Sequence, residues 1–148
     1  MIKNKILHIA ISICVGVYIA YLASLVPNTK VDPEFSNYFS YIRSTIKTNC
    51  KKYDFPAQYS IEFSNLYDDV IGLCSKSLFR WNIKIDPKAW ASLNEPQKLA
   101  LLAHEVFHCS LEVGHNEDKL NIMNSFLPYY SNMEQVMTEI SKVIEGCK

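Results

Sequence analysis

The stretch HEVFHCSLEVGH, His104–His115, holds three of the chain's four histidines. On a helix His104 and His108 stand at i and i+4, separated by roughly 40° of rotation and about 6 Å of rise. Both imidazoles then share a face and can bind one ion through bonds of about 2.0–2.1 Å. Glu105 is turned roughly 100° from His104, beside such an ion and not on it. A carboxylate there can take a proton from metal-activated water and pass it to a leaving amine, which is the chemistry of HExxH on a helix. The bland alternative is a pair of polar histidines on a half-exposed helix face. On an unbroken helix His115 lies roughly 10 Å beyond His108, too far to share the ion. Gly114 can adopt φ > 0 and turn the chain back, making His115 the third ligand. Three protein ligands and an open fourth position are the arrangement of a catalytic zinc site. Asp118 ranks next as third ligand, followed by Glu134 or Glu139 on a later helix, whereas Glu112 is carried past the ion. Cys109 points away from the His104/His108 line and suits a disulfide better. Tyr129 or Tyr130 can donate to an oxyanion, although tyrosines are abundant here.

These side chains need elements to position them. Asn94 as N-cap, Pro96 in the first turn and Gln97 three residues after the cap mark the start of a helix. Leu99, Leu102, Ala103, Val106 and Phe107 follow at helical spacing, and Gly114 is placed to end it. Phe35, Tyr38, Phe39, Ile42 and Ile46 predict an earlier amphipathic helix from Pro33 to about Lys47. Gln58–Leu66 and Leu78–Asp86 alternate as strands do, the second with Phe79, Trp81, Ile83 and Ile85 on one face. A last helix is expected near Ser131 with Glu134 completing a capping box. Its buried stripe is Met133, Val136, Met137, Ile140, Val143 and Ile144. The expected fold class is α+β: a small sheet, a central HExxH helix and a C-terminal helix, preceded by an N-terminal transmembrane helix.

The chain has 148 residues and a formal net charge of zero. That balance argues against a nucleic-acid partner, which demands an excess of positive charge. The apolar run Ile6–Val26 matches the roughly 20 residues that span a bilayer, and Lys3 and Lys5 before it favour a cytoplasmic N-terminus. A signal anchor fits better than a cleaved peptide, because Ala23 has Tyr21 at the −3 position. The expected domains are therefore residues 1–28 as anchor and 29–148 as an extracytoplasmic domain, with Val26–Phe35 as linker. Outside the anchor remain Cys50, Cys74, Cys109 and Cys147, an even number that predicts two disulfides with three possible pairings.

With these residues in hand, the stretch resembles the zincin metallopeptidases, and within them the metzincins, whose pattern is HExxHxxGxxH followed by a methionine turn. His104, Glu105, His108 and His115 match ligands and acid/base, and Met123 in NIMNS looks like the turn methionine. His115 comes one position later than in the pattern, and the glycine position holds Leu111, with Gly114 downstream. The chain also resembles short exported phage or bacterial HExxH proteins with cysteine after the second histidine. The resemblance implies one catalytic zinc ion, a protein or peptide substrate, and an edge strand for the substrate backbone, a slot for Leu78–Asp86. Two other functions remain open: a non-catalytic, membrane-tethered protein using zinc only for folding, and a zinc amidase acting on cell-wall peptides.

Overall fold

A computed structural model describes residues 12–19, 21–22, 28–50, 53, 55–56, 58–67, 69–77 and 80–147. Four strands form one sheet: β1 (Asn28–Val31), β2 (Gln58–Phe63), β3 (Gly72–Lys76) and β4 (Arg80–Ile85), in the order β1-β2-β4-β3. β1 runs parallel to β2 and β2 parallel to β4, while β3 is antiparallel to β4. The alternation of β4 does what its period demands. Trp81, Ile83 and Ile85 are buried, while Arg80, Asn82 and Lys84 are only half-buried. Across the β2–β4 pair Tyr59 meets Trp81 and Ile61 meets Ile83, which makes one apolar face.

A 3₁₀ turn at Pro33–Phe35 leads into α1 (Ser36–Asn49), which buries Phe39, Ile42 and Ile46 at helical spacing. The short helix α2 (Pro87–Ser92) is capped by Asp86, whose side chain accepts from the N–H groups of Lys88 and Ala89. Its Trp90 meets Phe35 edge to face at 4.8 Å. The central helix α3 (Glu95–Ser110) has the expected Asn94/Gln97 capping box, and its residues from Leu99 to Phe107 are all buried. A helix apolar all round must be covered on every side. β3 and β4 pack against it, as do α1 and α4 (Met133–Glu145). Full burial of each Leu or Phe there contributes about 1.5–3 kcal/mol.

Several expectations need correction. The transmembrane helix over Ile6–Val26 is not borne out. Among the described residues 12–19 and 21–22 are helical, and no helix is long and apolar enough to cross a membrane. Residues 6–11, 20 and 23–26 lie outside the described residues, as do Leu78 and Phe79. The linker expected over Val26–Phe35 contains β1, which starts at Asn28, one residue before the expected domain boundary. Backbone pairing with β2 sets this strand, not its own polar sequence. Leu78–Asp86 does not supply an edge, because β4 is paired on both sides; the edges are β1 and β3, and of these β3 packs against the central helix. The cap of α4 is Asn132, which accepts from Gln135 N–H, and not Ser131 with Glu134. Met133 and Met137 of the expected buried stripe are exposed, at 36% and 38%.

Cys50 pairs with Cys147 and Cys74 with Cys109. Two disulfides in a small domain fit an oxidising, extracytoplasmic environment.

Candidate metal centre

Helix α3 ends at Ser110 with Leu111 as C-cap, and Glu112 takes the left-handed conformation at φ 55°. Gly114, expected to make this turn, has no positive φ. Glu112 is held in place by an ion pair to Lys76 at the end of β3. The chain then doubles back through a run of Asn and Asp side chains that bond their own backbone two residues on. Asn116 accepts from Asp118 N–H, Asp118 from Leu120 N–H, and Asn121 from Met123 N–H. Asn124 closes the loop by donating to the carbonyls of Asn116 and Asp118. Asn116 N–H also donates to Met123 O at 2.8 Å. Met123 is buried beneath this return.

The loop delivers two carbonyls and one ring to the helix. Ile122 O lies 2.7 Å from His104 Nδ1, and Val113 O lies 2.7 Å from His108 Nδ1. A carbonyl only accepts, so both Nδ1 atoms carry the proton and both Nε2 atoms present lone pairs. Those lone pairs converge with His115. The Nε2–Nε2 separations are 2.9 Å for His104–His108, 3.1 Å for His108–His115 and 3.3 Å for His104–His115. Two ligands at about 2.0–2.1 Å from a tetrahedral ion stand about 3.3 Å apart, so the three rings fit a single ion. With two of the nitrogens unprotonated, a bound cation is what offsets the repulsion of such closely set lone pairs. These three histidines can therefore hold a metal ion.

The other candidates lie elsewhere. Asp118 spends a carboxylate oxygen on Leu120 N–H, Glu112 pairs with Lys76, and Glu139 pairs with Lys142. Glu134 is exposed and, like Glu139, lines a separate hollow on α4. Tyr130 donates to Leu120 O, and Tyr129 is exposed beside that hollow.

Glu105 is 5% exposed and lines one cleft of about 340 Å³ with all three histidines. The walls are Asp69–Cys74 on one side and Asn124, Ser125 and Leu127 on the other. His115 also lines a second cleft of about 730 Å³ that reaches the Cys50–Cys147 disulfide. Burial drives the Glu105 carboxyl up to about 7, partly opposed by the Cys74 N–H that donates to it. Burial likewise pushes His104 down to about 4, against the opposing bond to Ile122 O. His108 is lowered for the same reason, less its bond to Val113 O. Neutral imidazoles are the form that binds metal.

The chain matches no family model, no curated protein and no solved structure.

Sequence reasoning missed β3 and its contacts with Glu105. A Cβ placed on Gly72 falls 2.5 Å from Glu105 Oε1. Glycine inside a short strand marks a close approach of this kind, and that was the available signal.

Proposed function

We propose that the chain is a zinc-dependent peptidase with His104, His108 and His115 as ligands and Glu105 as the catalytic acid/base. The observation that carries the reading is the convergence of three Nε2 atoms within 3.3 Å, two of them left unprotonated because backbone carbonyls accept from the Nδ1–H of their rings. Imidazole donors suit zinc, copper, iron or nickel. Three such donors, with room for a further ligand in an open cleft, favour a catalytic zinc ion. Zinc there supplies Lewis acidity, which polarises a carbonyl and lets water attack near neutral pH. Glu105 takes the proton of the attacking water and returns it to the leaving nitrogen. The two clefts that His115 lines give an extended chain room beside the site.

Buried Glu105 also weighs against a zinc ion used only for folding, because such a site has no use for a buried carboxyl beside its ligands. The test is Glu105→Ala in the zinc-loaded chain, assayed on a peptide library and on purified cell wall. The expected result is full zinc content with hydrolysis reduced at least about 100-fold. Retained hydrolysis sinks the mechanism. Zinc binding by the unaltered chain with no cleavage of either substrate supports the folding role, and cleavage of cell wall alone supports an amidase.

A further inference from the structure

The edge strand β3 is joined to the active-site helix along a single line of contacts. Cys74 N–H donates to the Glu105 carboxylate, the Cys74 sulfur is bonded to Cys109, and Lys76 pairs with Glu112. On the helix side these are positions i, i+4 and i+7, which fall on one face and continue just past the C-cap. On the strand side they advance along the same few residues. Gly72 completes the fit. A Cβ at that position falls 2.5 Å from Glu105 Oε1 and 2.9 Å from both Cδ and Cγ, so the carboxylate occupies the space a side chain would take.

This arrangement is not what an edge strand does unaided. β3 has five residues, pairs only with β4, and leaves Leu73, Ser75 and Lys76 exposed. Strands held from one side open readily. A covalent bond one helical turn from Glu105 keeps this one closed over the carboxylate.

We propose that Gly72, Cys74 and Cys109 are positioning residues for Glu105, with the Cys74–Cys109 disulfide holding the β3 backbone against its carboxylate in the orientation that hydrolysis requires. The inference rests on the peptidase reading but has a readout that does not. The full chain loaded with zinc is compared with Gly72→Ala and with Cys74→Ala/Cys109→Ala on quenched-fluorescent casein. Zinc content is measured in parallel, together with hydrogen exchange of the residue 74 amide. Both variants should keep zinc and KM while kcat falls about 100-fold, the scale of a misplacement near 1 Å. In the disulfide-free variant the residue 74 amide should exchange at least about tenfold faster, because local opening is no longer opposed. Unchanged kcat in Gly72→Ala, or loss of zinc in step with activity, overturns the inference. If the disulfide-free chain fails to fold by circular dichroism, Gly72→Ala decides alone. If the unaltered chain cleaves nothing, the peptidase reading falls and exchange in Glu105→Ala decides: acceleration at Cys74 supports the positioning contact, and no change overturns it.

Discussion

The assignment of the third ligand can be tested by zinc-dependent melting. On the proposed reading zinc binds the folded chain through three rings that the loop 111–124 brings together, and an unfolded chain does not assemble them. At free zinc of about 100 times Kd the folded state gains about 2.7 kcal/mol. For a chain of 148 residues, each kcal/mol moves Tm by about 2–4 °C, so chelation near neutral pH should lower Tm by about 5–10 °C. His115→Ala removes one of three donors. Changing a group that merely orients a ligand costs about 10–100-fold in affinity, so losing a donor costs more. At the same free zinc the ratio to Kd drops to about 1, and the shift shrinks to about 1–2 °C. Asp118→Ala should retain the full shift, because that carboxylate is turned to Leu120 N–H. Differential scanning fluorimetry with buffered zinc reads all three proteins. A full shift in His115→Ala, or its loss in Asp118→Ala alone, refutes the ligand set.

Other consequences follow from the fold. Asn94→Ala removes the capping box of α3 and should cost about 1 kcal/mol, seen as a lower urea midpoint at unchanged m-value. Cys50→Ala/Cys147→Ala opens a link across a sequence separation of 97 and should cost about 3–4 kcal/mol, measured by denaturant unfolding under non-reducing conditions. In the metal-free protein buried His104 should destabilise the fold as pH falls, while Glu105, raised to about 7 when folded, stabilises it over much of the same range. His104 titrates near 4 when folded and at the ordinary 6.5 when unfolded, so between these values the unfolded chain binds more protons. Melting of the zinc-free chains from pH 7 to 4 should therefore give His104→Gln a Tm that falls less, or rises more, than that of the unaltered chain; equal slopes in the two proteins would contradict this.

Elements that their own side chains specify were legible. The Asn94–Gln97 cap, the apolar spacing of α1 and α3, and the alternation of β4 are local patterns, and each places its element within a few residues. Elements that exist through pairing were not. β1 is polar and β3 carries Gly, Cys, Ser and Lys, so neither shows alternation; each becomes a strand because a neighbour offers backbone partners. The apolar run near the N-terminus has the composition of a span, but composition is necessary for a transmembrane helix and not sufficient.

At the site the division is sharper. The spacing of His104, Glu105 and His108 by itself determined a metal-binding pair with a carboxyl beside it, because helical geometry converts those intervals into a shared face. Whether His115 joins them depended on a return that no interval reveals. The tertiary structure makes that return at Glu112 instead of Gly114, with Lys76 of β3 to anchor it and a chain of Asx turns to complete it. It also decided which nitrogens are free to bind an ion, by placing Ile122 O and Val113 O against the two Nδ1 atoms. The disulfide pairing and the strand over Glu105 belong to the same class of outcome, since both depend on residues far apart in sequence meeting across a packed core.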